Sequence, residues 1–231
     1  MALVKCILNN HEVEYDDSEF EFITSYDSDY LHYIGSGINV TNPKGNTSCH
    51  AMFQDYKGTD LDLSKFNTSE ITNMSFMFHS CMNLEHLNLS NFNTNKVTDM
   101  CEMFWNCKSL KALNLLNFNT SNVKDMSFMF NKCYNLKHLN LSNFNTNKVT
   151  NMDFMFYECI NLKTLDISSF YIDDTKILDS MFWNCRSLET LKVSSDYLQF
   201  FLTHRDLLEI GNNVNIISVS KLDKAVNGLF Y

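Results

Sequence analysis

The chain has 231 residues, and its hydrophobic content of 45% is enough to fill a sizeable core, which excludes an intrinsically disordered protein. Its eight cysteines are too few for a disulfide scaffold in a chain of this length and favour a reducing compartment. The net charge of -9 comes mainly from residues 1–30, where eight acidic residues accompany one lysine, and no basic stripe is present for direct binding to nucleic acid.

The amino-terminal residues predict an acidic, β-rich cap over residues 1–45. The stretch ALVKCIL-NN-HEVEY predicts a hairpin that turns at Asn9 and Asn10, and EFEFI adds another strand. Segment 27–48 contains Pro43 and three of the six glycines, so we expect an irregular connection there. The start of the chain shows neither a signal peptide nor an apolar run that could span a membrane, so we expect a cytoplasmic protein.

A 26-residue repeat dominates the centre of the chain. The apolar residues of the unit return at this fixed spacing, as in Phe66, Phe92, Phe118, Phe144 and Phe170, and in Cys81, Cys107, Cys133, Cys159 and Cys185. A single unit has no second layer to bury its apolar side chains, whereas stacked units place like residues on each other. The repeat therefore predicts a solenoid of about six turns over residues 46–195, with a degenerate first turn.

Each unit is predicted to contain one strand and one return segment. The pattern Leu84-x-x-Leu87-x-Leu89 ends in the alternation of a short strand. Between Asn93 and Cys107 the inward residues are spaced by three and four, which predicts a short helix or 3₁₀ turns that start at a Thr94 or Asn95 cap.

The full unit resembles a known repeat. Its consensus, F-N-T-[SN]-[NK]-V-x-[DN]-M-x-x-M-F-x-x-C-x-x-L-x-x-L-x-L-S, is similar to the repeat of bacterial BspA-like surface proteins and mycoplasma-type lipoproteins, a branch of the leucine-rich repeats. The resemblance implies an α/β repeat fold, namely a right-handed solenoid with a parallel sheet on one face and helical or 3₁₀ returns on the other. It also implies a role at the cell surface.

The last segment, residues 196–231, predicts a carboxy-terminal cap of a helix and a strand. Asp196 can cap a helix from about Tyr197 to Ile210, with Gly211 as its stop signal. This helix is expected to bury Leu198, Phe201, Leu202 and Leu208, and VNIISV reads as a closing strand.

The sequence offers no group of residues that predicts catalysis or metal binding. The cysteine column lacks C-x-x-C spacing and is best interpreted as core packing. His86 and His138 share a column, but lie two repeats apart, at about 10 Å, and cannot bind one metal ion directly. We therefore expect no cofactor, no metal and no enzymatic activity.

Three surfaces are candidates for binding a partner. The exposed strand face carries varied polar side chains and one apolar interruption, at His86, Asn88, Asn114, Leu116, His138, Asn140 and Asp166. The column after each Met-Phe pair collects both tryptophans of the chain and a tyrosine, namely Trp105, Tyr157 and Trp183. The amino-terminal cap supplies acidic side chains, at Glu12, Glu14, Asp16, Asp17, Glu19 and Glu21.

These surfaces predict a non-enzymatic module that binds a protein, and three hypotheses remain open. The first is an intracellular inhibitor of a basic or nucleic-acid-binding partner, such as a phage-type anti-defence inhibitor of the anti-CRISPR kind. The second is a cell-surface or adhesion protein, exported by another route. The third is an enzyme with a site hidden in the caps or at the sheet edge.

Overall fold

The computed structural model describes residues 2–26, 28–173 and 176–220, and these form a parallel solenoid of about six turns with little helix. The amino-terminal strands are β1 (Leu3–Leu8), β2 (His11–Asp16), β3 (Phe20–Ile23) and β4 (Tyr30–Tyr33). The repeats carry the short strands β5 (Asp60–Leu61), β6 (His86–Leu87), β7 (His138–Asn140), β8 (Thr164–Asp166) and β9 (Thr190–Ser194). A 3₁₀ turn (Ser195–Tyr197), α1 (Leu198–Thr203), α2 (Arg205–Leu208) and β10 (Asn215–Val219) close the described chain.

The amino-terminal cap consists of two antiparallel hairpins. Strands β1 and β2 pair around Asn9 and Asn10, which both have the positive φ that a two-residue hairpin turn needs, so the predicted hairpin is confirmed. The segment expected to be irregular contains one strand, β4, which pairs with β3. Its alternation places Leu31 and Tyr33 in the core, and Tyr33 packs edge-on against Phe20.

Like residues lie on adjacent rungs of the sheet, as the repeat predicts. In β7, β8 and β9, Leu139 pairs in parallel with Leu165 and Leu165 with Leu191, and in the first rungs Leu61 pairs with Leu87. The sheet is divided, because among the described residues no backbone hydrogen bond joins residues 111–114 to a neighbouring rung. The strand face therefore consists of a two-stranded sheet, β5-β6, and a four-stranded sheet, β7-β8-β9-β10.

The return segments contain consecutive turns, where the sequence predicts either a short helix or 3₁₀ turns. In one unit, the amide nitrogens of Met103, Trp105 and Cys107 each donate to the carbonyl three residues earlier. Glu102 and Asn106 have positive φ, which a right-handed helix cannot accommodate but the third position of a type II turn requires. Consecutive turns also bring apolar residues inward every three or four positions, so their spacing in the sequence is the same as that of the apolar face of a helix.

The return side is held by hydrogen bonds between turns. The amides of Met100, Glu102 and Phe104 donate to carbonyls of the next unit at 2.9–3.1 Å. Thr94, predicted as a helix cap, is instead buried between two turns, where its hydroxyl donates to the carbonyl of Asn119 and accepts from the amide of the same residue.

The core consists of continuous rows along the solenoid axis. The rings of the Phe row are nearly parallel and offset, with centroids 5.5–5.7 Å apart, in Phe78, Phe104, Phe130, Phe156 and Phe182. The Cys, Met and Leu rows fill the remaining interior and are almost entirely buried. Because each row repeats one side chain, the stack needs little adjustment from turn to turn.

The carboxy-terminal cap differs in detail from the predicted helix. The 3₁₀ turn begins after Ser194, whose hydroxyl accepts from the amide of Asp196, so Ser194 and not Asp196 is the cap. The helix is interrupted at His204 and ends at Glu209, which has positive φ. Phe201 and Leu208 are buried as expected, but Leu202 is 43% exposed. Strand β10 closes the sheet against β9, and the rest of the predicted cap, residues 221–231, lies outside the described residues.

Candidate interaction surfaces

The two histidines of the strand face, His86 and His138, are exposed, and each lies within hydrogen-bond distance of a different side chain of the neighbouring turn. The Nδ1 atom of His86 lies 3.1 Å from the carboxylate of Asp60, and that of His138 lies 2.8 Å from the hydroxyl of Thr164. Shallow grooves of about 420 and 340 Å³ surround them, and the break in the sheet separates the two. The strand face is thus divided into two surfaces, each with one exposed histidine.

The next column of this face stabilises the fold. The side-chain oxygens of Asn88, Asn114, Asn140 and Asp166 each accept from the backbone amide two residues later, at 3.0–3.1 Å. These Asx turns follow the strand positions, and they explain why each unit has Asn or Asp there without requiring that the side chain bind a ligand. Leu116, one residue of the neighbouring column, is 58% exposed and is an isolated apolar side chain on this face.

The aromatic column forms two stacked pairs on the return side. The rings of His79 and Trp105 lie 4.4 Å apart with an interplanar angle of 10°, and those of Tyr157 and Trp183 lie 4.5 Å apart at 15°. All four residues are half-buried, so part of each one contributes to the surface. Asn131 occupies the rung between the pairs and is buried, with no partner within hydrogen-bond distance of its side-chain oxygen in the described chain.

Sequence reasoning missed further members of this aromatic surface. Phe128 and Phe154 stack at 4.8 Å on an adjacent column, and the ammonium group of Lys132 lies 5.4 Å from the ring centre of Trp105. Phe128 and Phe154 have positive φ, which turns their side chains away from the interior. In the sequence, the feature that could have revealed Phe128 and Phe154 is their separation of 26 residues, although they lie outside the apolar positions that recur in every unit.

The acidic side chains of the amino-terminal cap lie in and just after the first hairpin. The carboxylate of Glu12 accepts from the ammonium group of Lys5 at 2.7 Å, and this hydrogen bond lowers the pKa of Glu12. Asp16 accepts from the hydroxyl and the amide of Ser18, which lowers the pKa of its carboxyl group. Asp17 and Glu21 are exposed, and Glu14 and Glu19 are half-buried.

The return side also contains two neighbouring carboxylates. Asp99 and Asp125 are bridge partners on consecutive turns. Burial raises the pKa of Asp99, and the negative charge of Asp125 adds to this shift. Asp99 accepts from the amide of Cys101 at 2.9 Å, so its place in the turn is the one that Asn73 and Asn151 occupy in other units.

The cysteine column is part of the core. Each thiol donates to a phenylalanine carbonyl of the preceding unit at 3.0–3.2 Å, for Cys81, Cys107, Cys133, Cys159 and Cys185. Burial raises the pKa of Cys133 and of Cys185 to about 12. The thiols of Cys133 and Cys185 therefore remain protonated at neutral pH, and the whole column packs as small apolar groups with one weak donor each.

The described residues contain neither a metal-binding cluster nor a membrane-spanning helix. No cluster of three or more His, Cys, Asp or Glu side chains with the geometry to hold a metal ion occurs in the described ranges. Among the same residues, no helix has the length and apolar character required to cross a bilayer.

Fold and surface together define a repeat solenoid whose variable side chains face outward. The family model described as "Mycoplasma protein of unknown function, DUF285" matches residues 31–115 and 111–200, which is more than half of the chain. The chain belongs to this family. Neither a curated protein nor a solved structure matches the chain.

Proposed function

We propose that this chain is a non-enzymatic interaction protein that binds a protein partner on its repeat surface. The stacked turns hold outward side chains at fixed spacing, so that little conformational entropy is lost on docking. Cysteine is the most nucleophilic residue type in the repeats, and burial together with the raised pKa of Cys133 supports a structural role for it and not a catalytic one.

The stacked aromatic pairs carry this proposal. Tryptophan and tyrosine are enriched among residues that dominate binding energy, and here they are stacked in pairs and only half-buried. The side chain of Trp105 also lies under Lys132, so that its ring combines apolar area with a nearby positive charge.

Site-specific photocrosslinking tests the proposal. A photoreactive phenylalanine analogue is placed at Trp105 or Trp183, and at exposed Asn147 as the matched control, and each variant is incubated with extract of the source organism. We expect one protein to crosslink from positions 105 and 183 and not from 147. Equal labelling from all three positions, or none from 105 and 183, would contradict a partner site on the aromatic surface.

An inhibitor of a nucleic-acid enzyme is the more specific form of this proposal. It is supported by the formal charge of -7 over residues 1–30. Affinity for such a partner should fall as salt rises, because exposed charges more than about 10 Å apart are largely screened at 0.1 M salt. Replacement of Glu12, Asp17 and Glu21 by glutamine should weaken binding in the same way, and indifference to salt would refute the inhibitor.

A surface repeat protein is the second candidate function, and membership of the mycoplasma family favours it. Protease treatment of intact cells distinguishes the two candidates. A surface protein is digested while a cytoplasmic marker protein is retained, whereas an intracellular inhibitor remains intact.

A leucine-rich type of repeat is the finer proposal for the fold. It is supported by the leucine rows on the parallel rungs and by a ladder of asparagines. The Nδ2 atoms of Asn91, Asn117 and Asn143 donate to carbonyls of the preceding unit at 2.8–3.3 Å, two for Asn117 and three for each of the others. An experimental structure that placed these amides in solvent would refute it.

A further inference from the structure

Strand β1 has one edge that no other strand of the described chain covers. It pairs with β2 alone, whereas β2 is flanked on its far side by Lys44, whose backbone exchanges two hydrogen bonds with Glu14 at 3.0 and 3.1 Å. A six-residue edge strand of this kind exposes backbone donors and acceptors to any chain that can extend beside it.

The hairpin geometry identifies which backbone groups face this edge. A two-residue turn makes Leu8 and His11 a hydrogen-bonded pair, and such pairs alternate along an antiparallel ladder. The bond from the amide of Asp17 to the carbonyl of Ala2 at 3.3 Å fits this alternation, as does the outward bonding of Glu14 to Lys44. The amides and carbonyls of Leu3, Lys5 and Ile7 therefore point away from β2.

The side chains of the same three residues form the exposed face of the hairpin. Leu3 is 70% exposed and Ile7 is 64% exposed, and each lies opposite a carboxylate, since Leu3 pairs with Asp16 and Ile7 with Glu12. Lys5 lies between them and is bound by Glu12. The edge thus combines unpaired main-chain groups, two aliphatic anchors and an acidic surrounding.

We propose that the outer edge of β1 is a strand-addition site for an extended, positively charged segment of a partner protein. Main-chain hydrogen bonds supply the affinity in this mode of recognition, and alternate side chains supply the specificity. The acidic residues of the cap select a basic segment, and they disfavour a second copy of the chain, which carries the same charge of -7 over residues 1–30. The inference rests on the proposed function, because it names the chemistry of a partner.

The probe is a nine-residue peptide of alternating lysine and valine, acetylated and amidated. Binding to the full chain is measured by calorimetry, and the site is mapped from the amide signals of Leu3, Lys5 and Ile7 by NMR. In the free protein these three amides should exchange rapidly with solvent while those of Val4 and Cys6 are protected, and the peptide should slow their exchange. Protection of all five amides in the free protein would overturn the proposal.

Two peptide controls separate strand addition from adsorption by charge. N-methylation of the three central residues removes backbone donors and keeps the charge, and we expect the affinity to fall at least about tenfold. A glutamate–valine peptide should not bind. Equal binding of the methylated peptide, or no binding of the lysine–valine peptide, would overturn the proposal.

A protein variant tests the edge directly. Lys5→Pro removes the outward amide at a position where an edge strand tolerates proline, and it should abolish binding. Lys5→Thr loses the same ion pair with Glu12 but keeps the amide, and it should bind the peptide within about twofold of the unchanged protein. If both variants bind equally well, the edge is not the site.

The outcomes also distinguish this inference from the proposed function. Concentration-dependent dimerisation that Lys5→Pro abolishes would assign the edge to a second copy and overturn the inference. Crosslinking at Trp105 and Trp183 without peptide binding would leave the proposed function intact and refute only the inference. Peptide binding at β1 without crosslinking on the repeats would support the inference and refute the repeat surface as the docking site.

Discussion

Thr120 and Asn145 clamp two consecutive turns of the solenoid to each other. The Thr120 hydroxyl donates to the carbonyl of Asn145 at 3.0 Å and accepts from the amide of the same residue at 2.7 Å. The equivalent pairs in other units form the same two bonds at Thr68, Thr94 and Thr146. One buried hydroxyl therefore satisfies both backbone groups of the residue above it.

Thr120→Val should destabilise the protein because it removes this clamp at nearly constant shape. The amide and carbonyl of Asn145 form these bonds in a part-buried position, and the loss of their partner should cost about 1 kcal/mol. Urea unfolding measures the loss, and Thr120→Ser is the matched control, since it keeps the hydroxyl. A serine variant as unstable as the valine variant would show that the methyl group, and not the hydrogen bonds, is responsible.

Asp99→Asn should stabilise the protein at neutral pH. Burial raises the pKa of Asp99 above its ordinary value of 3.8, so the folded state holds this proton more tightly than the unfolded state. Stability from this group is therefore present at low pH and is lost as pH rises through the raised pKa. Asparagine keeps the oxygen that accepts from Cys101 and carries no charge.

The gain should be an increase in Tm of about 1–3 °C at pH 7 that disappears near pH 3. Scanning calorimetry at both values measures it, with exposed Asp17→Asn as the control. An equal gain at pH 3 would show that charge is not the cause, and the reverse substitution, Asn73→Asp, should lower Tm at pH 7.

The thiols of the repeat column should resist modification in the folded protein. Cys107, Cys133 and Cys159 are fully buried, and burial raises their pKa values, so neither access nor thiolate is available at pH 8. Ellman's reagent should label all eight cysteines in guanidinium and none of these three in buffer. Mass spectrometry of the labelled protein identifies the sites, and rapid native labelling of Cys133 would refute the packed column.

Asn131→Tyr should stabilise the solenoid by completing the aromatic column. The buried side-chain oxygen of Asn131 has no partner among the described residues, and its rung lies between the Trp105 and Tyr157 rungs. A ring at this position gains stacking worth about 0.5–1.5 kcal/mol and removes an unsatisfied group. Thermal unfolding measures the effect beside Asn131→Ala, and a tyrosine variant less stable than the alanine variant would show that the rung cannot hold a ring.

The sequence was sufficient to predict the stacking, because Leu139, Leu165 and Leu191 must be alike to occupy one row. It was not sufficient to distinguish a helix from tandem turns, since both bring apolar residues inward every three or four positions. The deciding feature is positive φ at residues such as Glu102 and Phe128, and no glycine marks those positions. The aromatic pairs were located by their column, but their stacking depends on ring orientation, which spacing does not specify.

The break at Ala112 and Leu113 gives the two sides of the solenoid unequal stiffness. On the return side, parallel bridges continue without interruption from Ser48 through Asp125 to Ile177. On the strand side, the rungs next to the break are joined by side chains, among them the Lys111–Glu85 ion pair and the amides of Asn117 and Asn143, and no backbone ladder joins them in the described chain. We therefore expect bending that opens the strand face to concentrate at this rung, where the ladder is interrupted, and the continuous bridges of the return side to act as its hinge.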